Sequence, residues 1–233
     1  MMKYIEHIIE PEKLLLSWQT NGKRGRLFVA ELIRKGENAD LIYLQNCDEF
    51  HDAESLGFKG YPGFSSDRQR YDNVLFAFMK RLPPRSRGDF GKYLDSLRIY
   101  HNAVISDFAL LGYSGAKLPD DDFTVIHTFE NAAPPFEFLL QVQGYRYYME
   151  QLPFENIKLE QKATFQAEPE NEFDPKAIKV LVGGIHAGYV CHGLAESFHK
   201  WLDIGYKIEA SIERKNGTAQ QPEIYLYVSI KME

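Results

Sequence analysis

The sequence has little cysteine and no long apolar stretch, and each shortage excludes a class of protein. Its 233 residues contain two cysteines, Cys47 and Cys191, which lie far apart and match no metal-binding spacing. A disulfide framework is not expected, and a reducing cytoplasm fits best. No run approaches the roughly 18 apolar residues that span a bilayer, and the charged amino terminus lacks the apolar core of a secretory signal. We expect a cytoplasmic protein with no membrane partner.

The sequence also lacks an excess of basic charge. The formal net charge is −6, and from residue 134 onward 10 Lys and Arg stand against 14 Asp and Glu. Binding along a phosphate backbone without sequence preference depends on many cationic contacts that release counterions. That mode is disfavoured here, so a nucleic-acid partner would have to be held by a few local side chains.

Catalytic motifs are missing as well. The chain has no phosphate-binding Gly-rich loop, no Gly-x-Ser-x-Gly and no His-Glu-x-x-His. Ser114, between Gly112 and Gly115, fits the end of a helix better than a nucleophile. The histidines of the carboxy-terminal half match no zinc-ligand spacing. We expect a non-catalytic protein with no cofactor and no metal.

Length and composition favour two domains. With 233 residues, 44% of them hydrophobic, the chain can build two cores of ordinary size. Ala132-Ala133-Pro134-Pro135 is the best linker candidate, which predicts domains at 1–133 and 134–233. We predict an α+β protein, with a small amino-terminal sheet and helices followed by a six-stranded barrel with one or two helices.

Turn residues and apolar periodicity place the elements of the first half. Asn21-Gly22 predicts a turn between two of the strands, Asp72 is a candidate helix cap, and Pro83-Pro84 would end that helix. A further helix is expected to stop at Gly112. The predicted strands are 14–18, 27–32, 41–44 and 123–126, and the predicted helices follow Asp72 and cover 86–97 and 107–111.

The second half is mostly strand, with one helix that is expected to stop at Gly205. Its most informative segment is 168–180, EPENEFDPKAIKV, in which turn residues precede an apolar strand. Phe173 and Asp174 would therefore lie at the mouth of a β-structure. The predicted strands are 136–142, 157–167, 177–182, 185–190, 207–213 and 223–230, and the helix covers 194–202.

This segment and the Leu-Ala helix after it resemble the HIRAN domain family over about residues 138–230. The resemblance implies a compact OB-like barrel that grips the 3′ end of single-stranded DNA. In a family member an Asp accepts a hydrogen bond from the free 3′-hydroxyl, while aromatic rings stack the bases. Asp174 matches that Asp, Phe173 a stacking Tyr, Arg146 and Tyr147 an Arg-Tyr pair for phosphate and base, and Tyr189 a His after Gly.

Structural roles compete with these assignments. Asp174 before Pro175 also fits a turn cap, Phe173 and Tyr189 fit barrel core, and Arg146 fits a solvated edge. The sequence departs from the family pattern where a further aromatic is expected before the last strand, since the chain there reads Thr218-Ala219-Gln220-Gln221.

The first half is similar to the amino-terminal subdomain of HipA-type toxin kinases, which also occurs as a separate HipS-like antitoxin chain. The similarity lies in the order of 28–33, 40–44, the Phe-rich 75–83 ending in Leu-Pro, and 107–111. No His-x-Asp catalytic loop or Asp-Phe-Gly follows, so phosphoryl transfer is not expected. The resemblance implies either a structural platform or a docking surface for a kinase-like partner.

Two functions follow from these resemblances. In the first, the chain binds a single-stranded DNA 3′ end and the HipA-like half couples that event to a partner. In the second, it is an antitoxin-like interaction subunit that binds and regulates a HipA-family kinase, which the acidic balance favours.

Overall fold

The computed structural model describes residues 3–20, 25–119, 121–218 and 220–232, and they group into two units. The amino-terminal unit consists of Glu10–Leu97 and His101–Thr128. The carboxy-terminal unit consists of everything from Phe129 onward together with Arg98–Tyr100 and the described residues up to Ile9. The carboxy-terminal unit thus includes residues on both sides of the predicted division at 133/134.

The amino-terminal unit contains an antiparallel five-stranded sheet in the order β6-β3-β2-β1-β7. Its strands are β1 (Lys13–Trp18), β2 (Leu27–Lys35), β3 (Asn38–Tyr43), β6 (Arg70–Tyr71) and β7 (Phe123–Ile126), and a separate hairpin joins β4 (Gly60–Tyr61) to β5 (Phe64–Ser65). The three strands expected at the start of the chain are confirmed, as is the strand at 123–126. The predicted Asn21-Gly22 turn lies outside the described residues.

Within the described residues, the helices of this unit are α1 (Asp48–Ser55), α2 (Leu75–Met79), α3 (Phe90–Ser96) and α4 (Asp107–Ser114). Helix α1 was not predicted, although Phe50 and Ala53, three residues apart, are both buried. The prediction that Asp72 caps α2 is wrong, because the Asp72 carboxylate accepts a hydrogen bond from Arg70 Nε at 2.9 Å. The N–H of Leu75 donates instead to Asn38 Oδ1 on β3, at 3.2 Å.

Helix α4 runs past its predicted end. Ser106 Oγ caps its start by accepting from the N–H of Ala109 at 3.0 Å, and Gly115 ends it with a φ of 71°. Gly112 lies inside the helix, where an added Cβ would come within 2.6 Å of Leu14 Cδ2. Glycine at 112 therefore permits close packing rather than a stop, and Ser114 occupies the end of the helix as expected.

The carboxy-terminal unit is a six-stranded antiparallel sheet in the order β11-β10-β9-β12-β13-β8. Its strands are β8 (Phe136–Gln141), β9 (Lys162–Ala167), β10 (Ile178–Val182), β11 (Ile185–Tyr189), β12 (Lys207–Gly217) and β13 (Pro222–Lys231). Helix α5 (His192–Ile204) ends at Gly205, which has a φ of 84°. The number of strands, the single long helix and its stop are confirmed, and with them the mixed α and β composition.

The predicted six-stranded barrel is confirmed in part, because its six strands form one sheet that, over the described residues, does not close. The sheet keeps two edges, β8 and β11, and no ladder of hydrogen bonds among the described residues joins them. A single antiparallel bridge connects Gln143, just after β8, to Tyr189 at the end of β11, with N···O distances of 2.8 and 2.9 Å. The two edges therefore meet at one point, and just past the end of β8 the N–H of Val142 still donates to Ile224 of β13 at 3.0 Å.

Helix α5 covers the concave core of this sheet. Trp201, 1% exposed, lies against Phe136 with ring centroids 5.4 Å apart, and Phe198 lies 4.7 Å from Phe165. Trp201 is therefore a packing residue, as the sequence indicated. Over the part of the chain that the structure describes, no helix combines the length and apolarity needed to cross a membrane.

Candidate functional site

An open cavity of about 420 Å³ lies beside the turn that precedes β10. This volume is within the range of small-ligand sites. The side chains that define its chemistry are Tyr148, Asn171, Phe173, Asp174, Tyr189 and His192, together with the carboxylates of Glu168, Glu170 and Glu172.

The turn holds Phe173 and Asp174 at the mouth of this cavity. Asn171 Oδ1 accepts from the backbone N–H groups of both residues, at 2.9 and 3.0 Å. Asp and Asn side chains commonly fold a chain back in this way, because they mimic a backbone turn. Asn171 thus determines where the two predicted site residues point.

Asp174 has the turn-cap role that the sequence offered as one of its alternatives, and part of its carboxylate stays in solvent. Its Oδ1 accepts from the N–H of Lys176 at 2.8 Å, which is a turn cap, and its Oδ2 lies 2.8 Å from His192 Nδ1. The side chain is still 28% exposed. A carboxylate offers about four lone-pair positions, so it can accept a further hydrogen bond from a ligand.

Phe173 is not barrel core, since it is 91% exposed. A phenyl ring left this far in solvent has apolar area to lose on binding, and its faces are open to a flat partner. Tyr189 is half-buried, and its hydroxyl is held inside a network of polar side chains described next.

Glu168 is at the centre of that network. Its Oε2 accepts from Tyr189 Oη at 2.9 Å and from Asn171 Nδ2 at 2.8 Å, and its Oε1 lies 2.5 Å from Lys179 Nζ. Burial alone would raise the pKa of Glu168, but the hydrogen bonds from Lys179, Asn171 and Tyr189 lower it to about 2. Burial, Tyr148 and Glu168 together raise the pKa of Tyr189, so its hydroxyl remains protonated.

Arg146 and Tyr147 are placed differently from the other predicted site residues. They lie in a short 3₁₀ turn, Tyr145–Tyr147, where Arg146 Nη2 donates to Tyr147 Oη at 2.5 Å and the guanidinium lies 4.7 Å from the ring centroid. Tyr147 is 52% exposed. Neither residue is among the described residues that line the cavity, whereas the next residue, Tyr148, is.

Sequence reasoning missed Glu168, Tyr148 and His192 as parts of this site. Glu168 lies in the HIRAN-like segment 168–180, so the sequence did contain a signal for it. Its role in the site, however, depends on its contacts with Lys179 in β10 and Tyr189 in β11. Tyr148 lies against His186, with ring centroids 4.0 Å apart. His192 is the first residue of α5, and only folding places it beside Asp174.

The carboxy-terminal histidines have separate partners. His186 Nε2 lies 3.1 Å from the carbonyl oxygen of Gly188, and His199 Nε2 lies 3.1 Å from that of Lys176. Within the described ranges, no three His, Cys, Asp or Glu side chains are grouped as metal ligands would be.

Comparison with known proteins identifies this part of the chain. Residues 135–232 match the family model of the HIRAN domain, so the chain carries a HIRAN domain over this range. The first-half resemblance to HipA-type kinases has no support from these comparisons and stays a prediction. No curated protein is similar enough to the chain to count as a match.

Two solved structures are similar to the same part of the chain. The crystal structure of the HIRAN domain of human HLTF is 22% identical, covers 42% of this chain and 77% of its own, and has a TM-score of 0.34. A crystal structure of a protein from Lactobacillus plantarum is 19% identical, covers 40% of this chain and 91% of its own, and has a TM-score of 0.33.

Proposed function

We propose that the HIRAN domain of this protein is a non-catalytic module that binds single-stranded DNA at its free 3′ end. One observation carries the proposal: Asp174, a partly exposed carboxylate, and Phe173, an almost fully exposed ring, are held side by side at the mouth of an open cavity. The carboxylate can accept a terminal hydroxyl, and the ring can stack a base at about 1–3 kcal/mol.

The acidity of the cavity favours an end over an internal linkage. Glu170, Glu172 and Asp174 line it together with Glu168, whose charge is compensated by Lys179. A carboxylate attracts a hydroxyl donor but repels a phosphate at the same place. A strand can therefore enter with its 3′-hydroxyl, while a strand that carries phosphate at that position is rejected.

Arg146 and Tyr147 supply the outer contacts in this proposal. They stand outside the cavity lining and present an exposed guanidinium and an exposed ring. Arg146 would bind the phosphate that precedes the terminal nucleotide, and Tyr147 would stack its base. Tyr189 contributes through the hydroxyl network rather than through an exposed face.

Fluorescence anisotropy with two labelled oligonucleotides, identical except for a 3′-hydroxyl or a 3′-phosphate, tests the proposal. We expect the hydroxyl strand to bind at least about tenfold more tightly, the range of a hydrogen bond to a charged group. In Asp174→Asn and Asp174→Ala this preference should become markedly smaller, while Asp203→Asn, an exposed carboxylate in α5, should leave it intact. Equal binding of the two strands, or an unchanged preference in both Asp174 variants, would overturn the proposal.

A second candidate function is an antitoxin-like subunit that binds a HipA-family kinase through the amino-terminal unit. The observation in its favour is that this unit leaves Phe76 and Val104 exposed at 78% and 95%. Aromatic side chains such as Phe76 are enriched at protein-binding surfaces relative to the rest of a protein surface. Co-purification with such a kinase and inhibition of its activity would support this function, and a double variant, Phe76→Ser with Val104→Ser, should then lose both effects. A chain that binds no kinase in such pull-downs would exclude it.

A further inference from the structure

A second cavity, of about 460 Å³, lies within the amino-terminal unit. It is bordered by the segment that follows α2, by one side of α3, and by the turn that ends α4. Its polar lining consists of Lys80, Arg81, Arg87, Tyr93, Ser114 and Lys117, and the remaining lining is largely apolar, including Leu82, Pro83 and Leu97.

The charge of this lining is opposite to that of the HIRAN cavity. Four of its side chains are Lys or Arg, and none of the described residues that line it is Asp or Glu. This is unexpected in a chain with a net charge of −6. A concave surface lined by one sign of charge concentrates ligands of the other sign.

Arg81 gives this cavity a fixed wall. Its side chain is only 2% exposed and forms an ion pair with Asp121, and its Nε donates to the carbonyl oxygen of Ala116 at 2.6 Å. Ala116 has a φ of 45°, a conformation that is costly for a residue other than glycine. Arg81 holds that strained turn in place, while its own charge is compensated by Asp121.

The other polar groups are arranged for a ligand that is both anionic and apolar. Lys80, Arg87 and Lys117 are exposed, whereas Leu82 is buried and Pro83 and Leu97 are half-buried. Burial raises the pKa of Tyr93, so its hydroxyl stays a hydrogen-bond donor. Arg87 is also bound to Asp89 at 2.9 Å, and Lys80 and Lys117 are the exposed lysines of the lining, so the test varies these two.

We infer that this cavity binds a small organic anion, in which a phosphate or carboxylate group meets Lys80 and Lys117 and an apolar part lies over Leu82, Pro83 and Leu97. The apolar part would lose water-exposed area on binding, and the anionic group would gain charge-assisted hydrogen bonds. The site belongs to the amino-terminal unit and does not depend on DNA binding by the HIRAN domain.

NMR titration of the full chain with four probes of similar shape tests the inference: phenyl phosphate, benzoate, benzyl alcohol and benzylamine. We expect the two anions to shift the signals of Ser114, Lys117 and Leu82, and the neutral and cationic probes to shift them much less. The double variant Lys80→Gln with Lys117→Gln should weaken anion binding by on the order of tenfold, since each lost charge-assisted contact contributes modestly at a surface.

Two control variants make the result decisive. Lys35→Gln, an exposed cation of the same unit at the end of β2, should bind the anions like the unaltered protein. Asp174→Asn should also leave anion binding unchanged, which separates this site from the proposed DNA site. Equal binding of all four probes, absence of any shift, or unchanged anion affinity in the Lys80 and Lys117 double variant would overturn the inference.

Discussion

Glu168 shows how one charged side chain fixes the geometry of a cavity wall. It is bound to Asn171 in the turn that precedes β10, to Lys179 in β10, and to Tyr189 at the end of β11. All three partners donate to the same partly buried carboxylate, and hydrogen bonds to a charged group are stronger than those between neutral groups. The ring of Tyr189 is thereby kept in the cavity wall.

We predict that Glu168→Gln destabilises the HIRAN domain by about 1–2 kcal/mol at pH 7, because the charged acceptor is lost. The pKa of Glu168 is lowered by folding, from 4.5 to about 2. Its stabilising effect is therefore complete above about pH 4.5 and disappears as the pH falls toward 2. Urea unfolding at several pH values should show the difference between variant and unaltered protein shrinking over that window.

Glu170→Gln provides the matched control for this measurement. Glu170 is an exposed carboxylate two residues along the same turn. Its substitution should change stability little at any pH. A Glu168→Gln difference that stays constant from pH 7 down to pH 2.5 would contradict the role assigned to the ionised carboxylate.

At the scale of the elements, the bridge between Gln143 and Tyr189 joins the two edges of the six-stranded sheet. Gly188 makes the approach possible, because it has a φ of 129° and lies directly against the Gln143 carbonyl. Unpaired edges invite further strand pairing with other molecules. The bridge covers the point where β8 and β11 come together, next to residues that line the HIRAN cavity.

We predict that Gly188→Ala destabilises the HIRAN domain by more than about 2 kcal/mol, through a steric clash together with backbone strain. An added Cβ would lie 2.3 Å from Gln143 O and 2.9 Å from Val142 Cγ1. Hydrogen exchange at the Tyr189 amide, which donates to Gln143, should accelerate with the loss of the bridge. Thermal unfolding and exchange measured by NMR give the two readouts.

The control variant Gly184→Ala introduces backbone strain without a steric clash, and it therefore separates the two effects expected at Gly188. Gly184 also has a positive φ, 85°, but an added Cβ there meets nothing within 4 Å. It should cost only about 1–2 kcal/mol and leave the exchange of the Tyr189 amide unchanged. If the two variants behaved alike, close approach at the bridge would not be what requires glycine at 188.

At the scale of the whole molecule, the two cavities are lined by side chains of opposite charge. The net charge of −6 is accompanied by a HIRAN cavity lined by carboxylates and by an amino-terminal cavity lined by Lys and Arg. Over the described residues, the HIRAN cavity is lined by four carboxylates and by no Lys or Arg. The proposed recognition of one strand end, by a hydroxyl and one or two stacked bases, needs no extended basic surface.

We therefore predict a weak dependence of DNA binding on salt. If Arg146 neutralises one phosphate, the slope of log K against log salt concentration should be about −0.7 for a single strand. Anisotropy titrations between about 50 and 200 mM salt measure this slope. A slope of −3 or steeper would indicate contacts with about four or more phosphates and would contradict end recognition by a few side chains.

The carboxylates of the HIRAN cavity also predict how removing negative charge changes DNA binding. Glu170→Gln together with Glu172→Gln should strengthen binding of the 3′-phosphate strand more than that of the 3′-hydroxyl strand, because the repelled group is the phosphate. We expect a change of about threefold to tenfold, the range of exposed charge interactions. Identical changes for both strands would mean that these carboxylates do not face the strand terminus.

The sequence by itself determined the local elements and the composition of the HIRAN motif. Alternating and periodic apolar residues placed the six carboxy-terminal strands and α5, because side chains repeat every two residues in a strand and about every 3.6 in a helix. Asn171, Phe173 and Asp174 are neighbours in the chain, so their turn could be anticipated. The Asp72 cap failed because Asn38, on a strand more than thirty residues earlier, supplies the acceptor instead.

Only the tertiary structure decided which distant side chains meet. His192 beside Asp174, Lys179 beside Glu168, and Arg81 beneath Ala116 are contacts between separate elements, and no local pattern encodes them. The open edge of the sheet was also decided there, since closure depends on the curl of all six strands rather than on any one of them. Local periodicity is a property of the chain, whereas a cavity and its charge are properties of how the elements pack.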